Sequence, residues 1–112
     1  MTAGNLDIFC TKGETFSTSI TVKNPDNRLA GLTYWGSRMH VRRTVSASSP
    51  IIELTTDNGR LEHDVDNAKI TISLTAGETS GLDLGDHLYD LELYSTTRSA
   101  VLRLVQGKFI VE

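Results

Sequence analysis

The strongest constraint on this chain is an alternation of apolar and polar side chains with a period of two, repeated from one end to the other. Successive side chains of a strand point to opposite faces, so this period writes one buried face and one wet face. No window carries the 3.6-residue stripe of an amphipathic helix. The segment from Thr15 to Lys23 sets Phe16, Ile20 and Val22 against Ser17, Ser19, Thr21 and Lys23. Residues 37–45 place Met39, Val41 and Arg43 on one side and Arg38, His40, Arg42 and Thr44 on the other.

Turn chemistry punctuates these runs. Lys12-Gly13-Glu14 follows an opening strand with Leu6, Ile8 and Cys10 in phase. Asn24-Pro25-Asp26-Asn27 ends the next strand, because Pro25 has no N–H to give a ladder. Residues 28–36 read as an irregular connection closing on Leu32, Tyr34 and Trp35, and Ser46 to Pro50 breaks the chain again. Asp57-Asn58-Gly59-Arg60 predicts a hairpin between a strand at Ile52 and Leu54 and a return at Leu61, His63 and Val65. After Asp66-Asn67, Ile70, Ile72 and Leu74 face inward. Thr75-Ala76-Gly77-Glu78 has the spacing of a capping box, with Gly77 and Gly81 limiting it to little more than one helical turn. Tyr89, Leu91 and Leu93 then face inward, Leu102 and Leu104 carry a further strand, and Gln106-Gly107 reads as a break before Phe109 and Val111.

Eight or nine short strands separated by turns predict an all-β chain folded as an antiparallel β-sandwich or small barrel. No boundary, linker or repeat divides residues 1–112, so a single domain is expected. A domain of this length buries roughly two-thirds of its unfolded surface, enough for a core without staples. Cys10 is the only cysteine, so no intrachain disulfide forms, and it reads as a small strand residue. The net charge of −3 argues against a general affinity for nucleic acid, which needs clustered Lys and Arg. Uncharged stretches fall far short of the roughly 20 residues of a membrane span. No basic region followed by an apolar stretch opens the chain, so an intracellular origin is expected.

The order of these pieces resembles a family of small bacteriophage virion proteins built on an immunoglobulin-like or baseplate-type β-sandwich. The resemblance spans the chain: Gly13-Glu14-Thr15-Phe16 before a Thr-rich strand, Leu32-Thr33-Tyr34-Trp35 leading into Arg38 to Arg43, and Glu53-Leu54-Thr55-Thr56-Asp57-Asn58-Gly59. Its most specific part is Tyr89-Asp90-Leu91-Glu92-Leu93, a spacer, then Val101-Leu102-Arg103-Leu104-Val105-Gln106-Gly107-Lys108-Phe109-Ile110-Val111. A Ser-Pro-type tail common in the family is absent. The resemblance implies a structural component of a tailed-phage virion, assembled in the bacterial cytoplasm, at the tail, baseplate, neck or fibre-attachment level. Its partners would be other virion proteins, with copies arranged as a homo-oligomer or ring. A capsid decoration protein and a carbohydrate-binding host-attachment module are the alternatives; the latter would need exposed aromatics among Tyr34, Trp35 and Tyr94.

Candidate chemistry is sparse. His40, His63 and His87 lack a second ligand at a metal-motif spacing. Ser46, Ser48 and Ser49 cluster without a Gly-x-Ser-x-Gly elbow. Glu62, Asp64, Asp66 and Asn67, or Asp83, Asp86 and Asp90, could offer oxygens to calcium, but neither set has EF-hand spacing. No catalytic residue, metal or cofactor is therefore expected, and the chain reads as a non-enzyme. The candidate contact surface is the basic strand: Arg38, His40 and Arg42 should project side by side, about 6.6–6.8 Å apart. The expected counterpart is acidic, in the region Asp83–Glu92 of another copy, with Asp90 and Glu92 on an outward strand face. If residues 88–94 and 101–105 form a hairpin, Arg103 should lie across from Asp90 or Glu92. The ends Asp7 to Cys10 and Lys108 to Glu112 are expected to offer strand edges to partners.

Overall fold

The computed structural model describes residues 4–23, 31–33, 35–44, 49–95, 97 and 100–112. They form nine strands and one short helix: β1 (Gly4–Asn5), β2 (Ile8–Cys10), β3 (Phe16–Thr21), β4 (Trp35–Arg42), β5 (Ile52–Thr55), β6 (Leu61–Asp64), β7 (Lys69–Leu74), α1 (Ala76–Ser80), β8 (Gly85–Ser95) and β9 (Val101–Val111). One sheet runs β1-β9-β8-β4-β5, with β2 also on β9; the other runs β3-β7-β6. The turn Asn24 to Asn27 and the break Ser46 to Ser48 lie outside the described residues.

The alternation sorts each strand as its residues dictate. On β4, Ser37, Met39 and Val41 are buried; on β8, His87, Tyr89, Leu91 and Leu93 are. From the opposite layer Phe16, Leu61, Ile70, Ile72 and Leu74 meet them. Phe16 packs edge-on against Phe109 across the layers, ring centroids 5.8 Å apart. Cys10 is a buried member of this core, and burial pushes its thiol pKa up. The capping box forms: Thr75 Oγ1 accepts from Glu78 N–H, and Glu78 Oε1 accepts from Thr75 N–H.

Several expectations need correction. The opening segment is two short strands, and both join β9 in parallel, so the larger sheet is mixed while every other pairing is antiparallel. The ends expected as free edges therefore pair with each other, Ile8 with Phe109 and Cys10 with Val111. Leu6 is exposed, because between the two pieces its carbonyl turns inward to accept the Tyr89 hydroxyl at 2.6 Å. There Asp7 Oδ1 takes the Lys108 N–H. Gln106-Gly107 is no break: β9 runs through it, and the register shift falls one turn of the ladder earlier, with Leu91 opposite Val105 and Glu92 opposite Arg103. Gly107 lies under the Leu6 carbonyl, where a Cβ would overlap it.

The Asp57 to Arg60 turn does not close a hairpin. It carries the chain from β5 in one sheet to β6 in the other. Asn58 holds it locally, bonding Thr55 and Arg60 N–H through Oδ1 and the Glu53 carbonyl through Nδ2. Crossing between layers sends Leu54 and Leu61 into one core from both sides. Val65, expected in the return strand, is exposed in the β6–β7 turn. β4 starts at Trp35, inside the stretch read as irregular, and ends at Arg42, so Arg43 leaves the inner face and pairs with Asp83 at the surface.

Candidate functional site

The outer face of the larger sheet gathers the residues singled out from sequence. Since Met39 and Val41 point inward on β4, Gly36, Arg38, His40 and Arg42 point outward. The same parity on β8 turns Leu88, Asp90, Glu92 and Tyr94 outward. Register then sets opposite charges side by side. Arg38 faces Glu92, which faces Arg103; His40 lies between Asp90 and Glu53. Within the chain, the neighbouring strand already supplies acidic partners of the kind expected from another copy. Arg103 lands across from Glu92, as the hairpin reading required.

The side chains use this layout. Arg38 Nε is 3.6 Å from Glu92 Oε1, and its guanidinium stacks 5.3 Å from the Tyr94 ring centroid. Tyr94 in turn covers Gly36, its register partner, where a Cβ would collide with the ring. Arg42 Nη2 lies 3.2 Å from His40 Nδ1. A guanidinium only donates, so His40 Nδ1 accepts and Nε2 carries the proton given to Glu53 Oε2 at 2.5 Å. Asp90 Oδ2 is shared by Arg42 Nη1 at 3.6 Å and Arg103 Nη2 at 3.8 Å. Asp90 Oδ1 is buried with no hydrogen-bond partner among the described residues. This carboxylate is held by charge more than by hydrogen bonds. An open hollow runs past it, lined by residues that include His40, Arg42, Asp90, Arg103, Gln106 and Gly107.

The other candidates separate. Among the described residues no three His, Cys, Asp or Glu side chains converge as metal ligands would. Asp64 accepts from Asn67 N–H and Nδ2 within the β6–β7 turn, which lowers its pKa. Asp83, Asp86 and Asp90 each take a different base: Arg43, Lys108 and Arg42. Trp35 packs on the core side of β4 while Tyr94 lies on the outer face, and Tyr34 falls outside the described residues, so Trp35 and Tyr94 make no common platform. His87 is buried, Nδ1 3.3 Å from the Phe109 carbonyl.

One pair was not anticipated. Ser37 Oγ lies 2.8 Å from His63 Nε2 and joins β4 in one sheet to β6 in the other. Ser37 is 0% exposed, so the pair faces the core and ties the layers together. Desolvation lowers the His63 pKa. The alternation put His63 in phase with Leu61, and the same period of two puts Ser37 on the face of Met39, the signals available in sequence.

No protein-family model matches the chain, and no curated protein matches it. Among solved structures it is similar to that of the NK cell receptor Nkp44, described as a triggering partner in natural cytotoxicity, with a TM-score of 0.54 and 19% identity over 100% of both chains. At that identity the likeness concerns the fold alone, and the chain is an all-β, immunoglobulin-like sandwich. The inter-sheet disulfide of antibody domains has no counterpart, since Cys10 is the only cysteine.

Proposed function

We propose that the chain is a non-enzymatic structural subunit of a tailed-phage virion, at the tail, baseplate, neck or fibre-attachment level, acting through protein–protein contacts. The virion assignment is supported by the sequence resemblance that ends in Tyr89 to Leu93 and Val101 to Val111. The observation that carries the contact role is the outer face of the larger sheet, where Arg38, His40, Arg42, Asp90, Glu92 and Arg103 are fixed on three adjacent strands. Charges already held in place lose little freedom on docking, and an alternating pattern selects register and orientation more than it adds raw affinity. A repeated subunit in a ring needs that kind of discrimination.

Because these charges pair within the chain, single charge reversals disturb the fold and the contact together. The test is therefore an exchange: Arg38→Glu with Glu92→Arg keeps the cross-strand pair and inverts the pattern shown to a partner. The exchanged protein should stay folded, its denaturant midpoint lowered only by the lost Tyr94 stack and the new cation opposite Arg103, yet be missing from purified particles by mass spectrometry. Incorporation at the wild-type copy number would overturn the role of this face. A wild-type chain never found in particles would overturn the virion reading.

A further inference from the structure

We propose that the outer edge of β3 is a dimer interface, at which β3 of a second copy adds antiparallel and centred on Ser19. The inference goes beyond the assembly reading above and concerns the isolated chain. β3 is a border strand of the smaller sheet, paired with β7 on one side. Val22 N–H donates to the Ala68 carbonyl at 2.7 Å, one step beyond the Thr21–Lys69 register pair. In an antiparallel ladder bonded residues alternate, so Phe16, Thr18 and Ile20 turn their backbone groups to β7. The N–H and C=O of Ser17, Ser19 and Thr21 then point away from the sheet, and among the described residues none bonds them.

The other borders are guarded. β5 is four residues long and its neighbour Asn58 bonds the Thr55 N–H and the Glu53 carbonyl. β6 is four residues long and carries Glu62 and Asp64. β1 and β2 have two and three residues and are split by the interruption at Leu6 and Asp7. β3 has six residues, reads Phe-Ser-Thr-Ser-Ile-Thr, and pairs with β7 without a register shift. It holds no charge, Pro, Gly or bulge, the devices that keep an exposed edge from pairing.

Self-pairing fits this strand in particular. Residues opposite one another in an antiparallel pair share a face, so the two-fold axis must pass midway between the two copies of one residue. Centred on Ser19, each Ser17 faces Thr21 of the second copy and Ser19 faces its counterpart, so every outward N–H and C=O finds a partner. On the core side, half-buried Thr18 comes opposite Ile20 of the second copy, also half-buried, and each covers the other. With no charge on the strand, two copies meet without like-charge repulsion.

The test uses the purified chain. Sedimentation should show a monomer–dimer equilibrium, and Ser19→Lys, which sets two cations face to face on a solvated position, should weaken it at least tenfold without moving the unfolding midpoint. Ser19→Cys should cross-link under mild oxidation or with a short thiol reagent, since opposed Cα atoms lie about 5.5 Å apart. Ser17→Cys serves as the control, its counterpart being about 13 Å away along the strand. A chain that stays monomeric up to millimolar concentration would overturn the proposal. So would cross-linking of Ser17→Cys as fast as Ser19→Cys, or a dimer that Ser19→Lys leaves intact.

Discussion

Gly107 and Gly36 sit under different kinds of lid. Above Gly107 is the Leu6 carbonyl, part of the backbone, which is also pinned by the Tyr89 hydroxyl. Above Gly36 is the Tyr94 ring, the end of a side chain that can swing away. Gly107→Ala should therefore cost about 1–3 kcal/mol, the usual range for overpacking, by pushing the opening segment off β9. Gly36→Ala should cost less and chiefly free Arg38 from its stack. Urea denaturation of both variants measures the order, and equal costs would contradict this account. Tyr89 offers a second check. Burial first, then the nearby Asp7 charge, raise its pKa to about 12. In a spectrophotometric titration one of the three tyrosines should ionise well after the free-phenol range.

At the scale of elements, α1 depends on its cap. Five residues hold too few internal hydrogen bonds to stand alone, so the Thr75–Glu78 exchange carries the start of the helix. Thr79 then fastens α1 to the opening loop, donating from Oγ1 to the Glu14 carbonyl and accepting from Gly13 N–H. Thr75→Ala should lower stability by about 0.5–2 kcal/mol in thermal or denaturant unfolding. This element was legible in sequence because its signal is local: two residues at a fixed spacing. So were the inner faces of β3, β4, β7 and β8, since parity alone fixes which side chains are buried. What parity cannot carry is the identity of the neighbouring strand. Asn58-Gly59 is compatible with a hairpin and with a crossing between layers, because Leu54 and Leu61 reach the core either way. Gly107 reads as a break until the Leu6 carbonyl is seen above it. The contact face was half legible for the same reason: Arg38, His40 and Arg42 announce themselves, while the register that sets them beside Glu92, Glu53 and Asp90 depends on strands distant in sequence.

For the whole molecule, the pH dependence of stability follows from groups in both layers. His63, desolvated between the sheets, has a folded pKa below its ordinary 6.5. The unfolded chain then binds the extra proton first, so this contribution is complete above about pH 6.5 and is lost as pH falls toward the folded value. Glu78 is held below 4.5, first by the Thr75 N–H and then by Arg60 against its burial, so its contribution is present above 4.5 and disappears in more acid solution. Tyr89 acts at the other end. Its folded pKa lies above the ordinary 10, so it stabilises fully below pH 10 and loses that contribution between about 10 and 12. The Cys10 thiol, also raised by burial, begins to lose its contribution above its ordinary 9.0. Stability should hence hold a plateau from about pH 6.5 to 9, with a first decline on the acid side assigned to His63 and a steeper one below 4.5. His63→Gln keeps a group able to hydrogen-bond Ser37 and removes the titration. Its denaturant midpoint should stay level between pH 6.5 and 5 where the wild type declines. A decline of equal slope in both proteins would mean that the tie between the sheets is not what titrates there.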